Sequence, residues 1–236
     1  MRLLQEQRLF IAEVPTRLYI PERARGLLLL GHGGGHSKDG DRFIRLSRHY
    51  AERTGLAVAC IDAVDHGERG PAASAEGLPR AWHSRTTSQM VADWGSVVDH
   101  LSAVGPPVAY VGFSMGAIFG FPTVASLPTI AVAVFVVGGI PDGGWADDPA
   151  LGPSLIGAAA KLGGADVLML NKDEDEMFSV HGVRLLFDSV VARSKQLVFL
   201  PGSHDDWSPD LIAQSAAFLE QHAATGPVVP REQGSR

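Results

Sequence analysis

Short apolar runs alternate along the chain with segments in which apolar residues recur at helical spacing. Continuous apolar runs are typical of strands that are covered on both faces in a parallel sheet. The clearest helical segment after such a run contains Phe43, Leu46 and Tyr50 and stops at Gly55. This alternation predicts an α/β fold with a doubly wound, mostly parallel sheet. The runs cover residues 26–30, 56–62, 108–113, 130–137, 165–171 and 196–200.

The two ends of the chain depart from this rhythm. Strand-like runs at residues 8–13 and 16–20 flank Val14-Pro15, which predicts an antiparallel hairpin at a sheet edge. Ser208-Pro209 has the residue types that begin a helix, and apolar spacing continues to about His222. Beyond that helix the sequence is rich in proline and charge, and we expect a disordered tail over residues 226–236.

One segment within the chain is too short to form a second domain. Residues 140–164 contain Pro, Gly and Asp and a single short helical pattern near 153–162. We therefore predict one α/β domain over residues 1–225, with a minimal cap at about 140–164. Pro122 predicts a kink or an early end in the helix that contains it.

Composition narrows the classes of partner. The chain has 236 residues, 45% of them hydrophobic and 19% charged, with a formal net charge of −6. This balance gives no electrostatic attraction to nucleic acid or to an anionic membrane, so we expect a small-molecule partner. No apolar stretch is long enough to span a membrane, the N-terminus lacks signal-peptide features, and we expect a cytoplasmic protein. Cys60 lies in an apolar run and is predicted to be a buried, unreactive thiol. Oligomeric state is left open.

The strongest chemical signal is Gly112-Phe113-Ser114-Met115-Gly116, which joins an apolar strand-like run to a helical segment. A serine on so tight a strand-to-helix turn has a strained backbone, and small residues two positions away let strand and helix approach each other. The turn lifts the hydroxyl above the edge of the sheet, beside the N-terminal N–H groups of the new helix. Ser114 is therefore predicted to be a nucleophile.

A serine nucleophile needs a base and an acid that orients the base. The chain has nine histidines. His204 follows the last predicted strand and precedes the last helix, so we predict that it is the base. The loop over residues 171–178 offers four carboxylates, of which Asp175 is our preferred acid. Asp173 and Asp142 remain open as alternatives. Histidines placed in predicted helices are His49, His100, His181 and His222.

A glycine-rich loop follows the strand over residues 26–30. Its sequence, His32-Gly33-Gly34-Gly35, exposes backbone N–H groups without obstruction by side chains. We predict an oxyanion hole from the N–H groups of Gly33, Gly34 and Met115. The loop lacks the Gly-Lys-Ser/Thr ending of a P-loop and the third glycine of a dinucleotide-binding motif, so nucleotide binding is disfavoured.

Several further residues lie at predicted strand ends on the same edge. Asp65, His66 and Arg69 either line the rim of the site or brace its loop, and both interpretations stay open. His32 and Trp145 are further possible substrate contacts. A metal site from His32, His36, Asp65 and His66 is conceivable, but no H-E-x-x-H helix is present, and we expect no metal and no cofactor. Leu151, Leu155 and Ile156, with Trp145, either roof an acyl pocket or anchor the insert to the core.

Taken together, GHGGG, GFSMG, the acidic pair within LNKDEDEMF and GSH before the last helix resemble the α/β-hydrolase superfamily over nearly the whole chain. The compact size, minimal cap and DAVDHGERG segment are most similar to the dienelactone hydrolase and small serine esterase branch. That resemblance implies that Ser114 is the nucleophile, Asp175 the acid and His204 the base. Dienelactone hydrolases use a cysteine nucleophile, whereas this chain has serine, which favours esters over strained lactones.

These expectations define a function. We expect a serine hydrolase that cleaves a small or medium carboxylic ester through an acyl-enzyme intermediate. The superfamily also contains enzymes that do not hydrolyse, so a lyase or cyclase of a biosynthetic pathway is the alternative. A noncatalytic binding protein is a third hypothesis, which the complete set of Ser114, Asp175 and His204 disfavours.

Overall fold

The computed structural model describes residues 4–70, 84–141 and 150–223. Within these ranges the chain forms strands and helices in alternation after an N-terminal pair of strands. The strands are β1 Leu4–Ile11, β2 Val14–Pro21, β3 Leu27–Gly31, β4 Ala57–Ile61, β5 Val108–Phe113, β6 Ile130–Val136, β7 Asp166–Lys172 and β8 Ser194–Leu200. The helices are α1 Asp41–Thr54, α2 Ser84–His100, α3 Met115–Ser126, α4 Leu151–Ala159, α5 Val180–Ser189 and α6 Pro209–Ala223.

The described strands form one sheet in the order β1-β2-β4-β3-β5-β6-β7-β8. β1 pairs with β2 in an antiparallel hairpin, β2 is antiparallel to β4, and the remaining neighbours are parallel. The predicted fold class is therefore confirmed, including the antiparallel hairpin at the sheet edge. Because β3, β5, β7 and β8 are parallel, their carboxyl ends lie on one edge of the sheet, where ligands bind in such folds.

Helices cover both faces of the sheet and create two apolar layers. Alternate residues of β5 point into different layers: Tyr110 packs with Trp94 of α2 and Phe135 of β6, while Phe113 packs with Phe43 of α1. Strands covered on both faces are apolar at every position, which explains the continuous apolar runs in the sequence. Cys60 lies in one of these layers, where burial raises the pKa of its thiol, as expected for an unreactive cysteine.

Helix ends follow the residue types that predicted them. Gly55 takes a left-handed conformation with φ of 70° and ends α1, and Ser179 caps α5 by accepting a hydrogen bond from the N–H of Gly182 at 3.1 Å. The early end predicted at Pro122 is wrong, because α3 continues through it to Ser126. Most of the other residues of α3 are buried, and the free energy of their packing outweighs the loss of the backbone hydrogen bond that proline cannot donate.

The insert before β7 is anchored to the core. Leu151 and Leu155 of α4 are buried in the same apolar layer as α3 and α5, and Ile156 is half-buried. This contact favours the anchoring interpretation for these leucines. Residues 142–149, which include Asp142 and Trp145, lie outside the described residues, as does the tail over 226–236. None of the described helices is long and apolar enough to cross a membrane.

Candidate active site

Ser114 lies on the turn between β5 and α3, in a conformation that L-residues rarely adopt. Its φ is 52° and its ψ is −112°, the strained geometry expected of this motif. Glycine is required on either side: a Cβ on Gly112 would lie 2.3 Å from the carbonyl oxygen of Gly116, and one on Gly116 would lie 2.4 Å from that of Gly31. The Tyr110 hydroxyl donates to the Gly116 carbonyl at 2.7 Å and fixes the first turn of α3.

A chain of hydrogen bonds connects Ser114 to two residues from other strand ends. His204 Nε2 lies 2.9 Å from Ser114 Oγ, and His204 Nδ1 lies 2.9 Å from Asp175 Oδ2. The other oxygen of Asp175, Oδ1, accepts backbone hydrogen bonds from Met177 at 2.8 Å and Phe178 at 2.9 Å. An ionised carboxylate only accepts, so Nδ1 of His204 carries the proton that points to Asp175, and Nε2 is left to accept from the serine hydroxyl.

The two candidate acids that the structure describes have different surroundings. Asp173 is exposed, and its Oδ1 accepts a hydrogen bond from the N–H of Gly202 at 3.2 Å. Asp175 has a fully buried side chain and contacts the imidazole of His204. The carboxylate beside His204 is therefore that of Asp175, and Asp173 instead joins its own loop to the loop after β8.

The backbone of His204 is held on both sides. Its N–H donates to Glu176 Oε2 at 3.1 Å, and its carbonyl accepts from Trp207 Nε1 at 3.1 Å. The ring of Phe178 also packs against the imidazole, with 5.6 Å between ring centroids. These contacts restrict the imidazole to the position between Ser114 and Asp175. Sequence reasoning missed Glu176 and Trp207 in this role.

A buried lysine joins the loop that carries Asp175 to the loop that carries His204. Lys172, the last residue of β7, is 1% exposed, and its ammonium donates to the Pro201 carbonyl at 2.9 Å and to Asp206 Oδ2 at 3.1 Å. Sequence reasoning missed this contact as well. The available signal was a charged residue directly at the end of an apolar run, where a charged side chain is buried only if it has a specific partner.

The glycine-rich loop after β3 lies against the nucleophile. A Cβ on Gly33 would lie 3.6 Å from Ser114 Cβ, so Gly33 is adjacent to the serine and Gly34 follows it. Met115 is the first residue of α3, where N–H groups lack intrahelical acceptors. The three residues predicted to form an oxyanion hole therefore lie on the two segments that flank Ser114.

His32 and His66 connect this loop to the loop after β4. The proton on His32 Nδ1 is donated to the Gly33 carbonyl at 2.8 Å, and Nε2 accepts from the N–H of Ala63 at 2.9 Å. His66 Nε2 accepts from the N–H of Gly35 at 3.3 Å, and both rings are buried. Burial lowers the pKa of His32 to about 4, so its imidazole is neutral. This geometry favours bracing over substrate contact for both histidines.

Arg69 also braces the loop after β4. Its guanidinium pairs with Asp93 of α2 and donates to the Asp62 carbonyl at 3.2 Å. Asp65 differs, because it is exposed and has a left-handed backbone with φ of 61°. Within the described residues, and in contrast to His66 and Arg69, Asp65 has no side-chain hydrogen bond or ion pair.

A second buried lysine, Lys38, holds the glycine-rich loop from behind. Its ammonium donates to Asp62 Oδ2 at 2.9 Å and to Asp39 Oδ2 at 2.8 Å, and its backbone N–H donates to Asp62 Oδ1 at 2.9 Å. Burial acts to lower the pKa of Lys38, but hydrogen bonds to Asp39, Glu68 and Asp62 raise it above its ordinary value. Lys38 is thus a charged structural link, which sequence reasoning also missed.

Two observations concern possible binding sites other than the one around Ser114. Among residues 4–70, 84–141 and 150–223, no group of three or more His, Cys, Asp or Glu side chains is arranged to hold a metal ion. A mostly apolar cavity of about 530 Å³ lies at the amino ends of β3, β5 and β6, lined in part by Leu27, Val108 and Ala131. That cavity is at the opposite edge of the sheet from Ser114, and none of the reactive side chains lines it.

Comparisons with known proteins agree with this architecture. No protein-family model matches the chain, and no curated protein sequence matches it. Among solved structures, a PEG-bound cold-adapted esterase from an Arctic intertidal metagenomic library aligns with a TM-score of 0.80 and 27% identity, covering 93% of this chain and 94% of that chain. TT1662 from Thermus thermophilus aligns with a TM-score of 0.77 and 22% identity, over 94% and 98% of the two chains. Est1E from Butyrivibrio proteoclasticus, solved with ferulic acid bound, aligns with a TM-score of 0.69 and 14% identity, over 92% and 99%.

The fold and the position of Ser114 define a class of protein. The chain has the fold of the α/β-hydrolase superfamily, in the compact form seen in small esterases. The superfamily predicted from the sequence motifs is thereby confirmed.

Proposed function

We propose that this protein is a serine hydrolase that cleaves a small or medium carboxylic ester through an acyl-enzyme intermediate. The observation that carries the proposal is the hydrogen-bonded chain from Ser114 through His204 to Asp175, with 2.9 Å at each of its two links. These distances lie within the range at which a base takes a proton from a nucleophile. Similarity to structures named as esterases supports the same class of reaction.

The chemistry follows from which atom holds each proton. Ser114 Oγ attacks the ester carbonyl carbon while His204 Nε2 takes the hydroxyl proton. Asp175 accepts from Nδ1–H and stabilises the imidazolium that forms. The tetrahedral intermediate collapses, the C–O bond to the alcohol breaks, and Nε2 returns the proton to the departing alkoxide. Ser114 is then acylated.

Deacylation repeats the steps with water in place of serine. His204 Nε2 takes a proton from the water as its oxygen attacks the acyl carbon. The second tetrahedral intermediate releases the carboxylic acid, and the proton returns to Ser114 Oγ. His204 thus acts as base and then acid in each half-reaction, which requires that its Nδ1 proton remain hydrogen-bonded to Asp175.

Negative charge on the carbonyl oxygen is stabilised by backbone N–H groups of Met115 and of the Gly33–Gly34 segment. Two features support these donors: Met115 begins a helix, where the dipole favours negative charge, and Gly33 lies beside Ser114 without a side chain. His32, His66 and Lys38 hold the glycine-rich loop in place without contacting the reacting atoms.

A fluorophosphonate probe tests the nucleophile directly. Folded wild-type protein is expected to be labelled at Ser114, with the site identified by peptide mass spectrometry, and Ser114→Ala is expected to be unlabelled. Turnover of 4-nitrophenyl acetate or butyrate should depend on the same residue. Absence of covalent labelling in folded wild type would overturn the serine hydrolase proposal. Labelling without ester turnover would replace hydrolysis by the lyase or cyclase alternative.

A further inference from the structure

Among the described residues, His36 lies near Ser114 and has ring nitrogens that form no hydrogen bond with the protein. His32 and His66 each have both ring nitrogens hydrogen-bonded to backbone groups. Within residues 4–70, 84–141 and 150–223, neither ring nitrogen of His36 has a hydrogen-bond partner. Its ring instead packs against Phe43 and Trp207, with centroid distances of 5.5 and 5.6 Å. These contacts fix the ring and leave its polar atoms available.

The edge of this imidazole lies next to the reaction centre. A Cβ placed on Gly33 would be 3.5 Å from His36 Cδ2 and 3.6 Å from Ser114 Cβ. Gly33 therefore lies near both side chains and places no side chain of its own between them. Cδ2 is bonded to Nε2, so this nitrogen is one bond away from the ring atom nearest that space. A group attached to Ser114 that extends toward Gly33 would come within reach of this edge.

The charge state of His36 determines what it can bind. The ring is half-buried, and burial, followed by the nearby guanidinium of Arg42, lowers its pKa, while Asp205 acts in the opposite direction. A neutral imidazole has one N–H donor and one acceptor nitrogen. A hydroxyl group is likewise both donor and acceptor, and it forms a hydrogen bond with either nitrogen.

We infer that His36 is a specificity-determining residue that hydrogen-bonds a hydroxyl group of the substrate, close to the ester bond that is cleaved. The substrate class is thus a hydroxylated ester of small or medium size. This inference rests on the proposed esterase function. A neutral hydrogen bond of this kind raises kcat/KM for the hydroxylated ester by about tenfold over the ester without the hydroxyl.

Matched pairs of esters measure this effect on either side of the ester bond. On the acyl side the pair is 4-nitrophenyl butyrate and 4-nitrophenyl 3-hydroxybutyrate. On the alcohol side the pair is ethyl butyrate and 2-hydroxyethyl butyrate. Hydrolysis of these two esters is measured by titrating the released acid. Wild type is expected to prefer the hydroxylated member of at least one pair by about tenfold in kcat/KM.

His36→Leu is expected to reduce that preference to near one. Because the preference is a ratio of two rates measured on one variant, a general loss of folded protein cancels. His49→Leu is the matched control, since His49 is an exposed histidine of α1, and it should retain the wild-type ratio. His36→Gln, which keeps a donor and an acceptor, should retain part of the preference.

The outcomes separate this inference from the proposed function. Turnover of the plain esters with no preference in either pair would overturn the role of His36 and leave the esterase proposal intact. A preference that survives in His36→Leu would do the same. No turnover of any ester, with no labelling of Ser114, would overturn the proposed function and this inference with it.

Discussion

Lys172 donates a hydrogen bond from a buried ammonium group to the carboxylate of Asp206, with 3.1 Å between Nζ and Oδ2. The same ammonium donates to the Pro201 carbonyl at 2.9 Å. Because Asp175 follows β7 and His204 follows β8, this cation joins the two loops whose relative position sets the Asp175–His204 hydrogen bond. Lys172 is therefore expected to act as a positioning residue.

Lys172→Met should lower kcat while leaving KM within about twofold. Methionine has a similar length and no donor, so the two loops lose their charged link, and a displacement of the order of 1 Å costs about 10²-fold in rate. Labelling of Ser114 by a fluorophosphonate should slow in parallel, since it uses the same base. Lys161→Met, at an exposed lysine, is the control. A lower melting temperature with wild-type kcat in folded protein would reduce Lys172 to a purely structural role.

Asp175→Asn should reduce kcat/KM by about 10⁴-fold, the loss measured for the acid of the best-studied serine triad. The oxygen of the asparagine amide stays on the N–H groups of Met177 and Phe178, so its NH2 group faces His204 and donates to Nδ1. The imidazole proton is then on Nε2, which no longer accepts from the serine hydroxyl. Asp173→Asn removes a neighbouring carboxylate whose contact is with Gly202, and it should change activity by less than about threefold. Circular dichroism verifies that both variants are folded. Comparable activity of Asp175→Asn and wild type would transfer the role of acid to another residue.

The local sequence pattern was sufficient to predict those parts of the site whose geometry depends on the local backbone. The turn at Ser114 is specified by glycines two residues away, and His204 follows the last strand, so both were identifiable along the chain. Asp175 and Asp173 could not be separated in the same way, because a loop has no period that assigns each side chain a direction. Lys172 and Lys38 pair with carboxylates from distant loops, and such contacts depend on which strand ends become neighbours in the sheet.

The role of His32 and His66 shows a similar limit. Their positions after β3 and β4 place them on the correct edge, but sequence does not show whether a ring nitrogen faces substrate or a backbone group. Only the folded chain shows that His32 accepts a hydrogen bond from the N–H of Ala63 and that His66 accepts one from the N–H of Gly35. Apolar spacing likewise predicted the helix in the insert, whereas the burial of Leu151 and Leu155 required knowledge of how α4 packs.

His32 should make the protein less stable as pH falls from about 6.5 to about 4. Burial lowers the folded-state pKa of His32 to about 4, while an unfolded histidine titrates near 6.5. Between these values the unfolded state binds a proton that the folded state excludes, so the free energy of unfolding decreases as pH falls. Above about pH 6.5 this contribution is complete. The loss over the whole window is on the order of 3 kcal/mol.

Urea unfolding of wild type and His32→Gln at intervals between pH 4 and pH 8 measures this contribution. The variant should be less stable at pH 8, because glutamine does not reproduce both backbone hydrogen bonds, and its stability should depend less on pH between 6.5 and 4. His49→Gln, at an exposed position, should follow the wild-type curve. Parallel curves for wild type and His32→Gln would assign the acid sensitivity to other groups.

The enzyme should prefer short acyl chains. Leu151 and Leu155 of the insert are buried against the core formed with α3 and α5, so these side chains are not free to line a long acyl channel. The whole insert, about residues 140–164, is also long enough for only one or two short helices. In a series of 4-nitrophenyl esters from acetate to palmitate, kcat/KM should peak at about two to four carbons, since each further methylene gains little where no apolar wall contacts it.

Leu155→Ala should lower the melting temperature, because a buried leucine truncated to alanine typically costs about 2–5 kcal/mol, and it should leave the chain-length profile in place. A peak at long chains in wild type, or a profile that shifts to longer chains in Leu155→Ala without loss of stability, would show instead that the insert forms the acyl pocket.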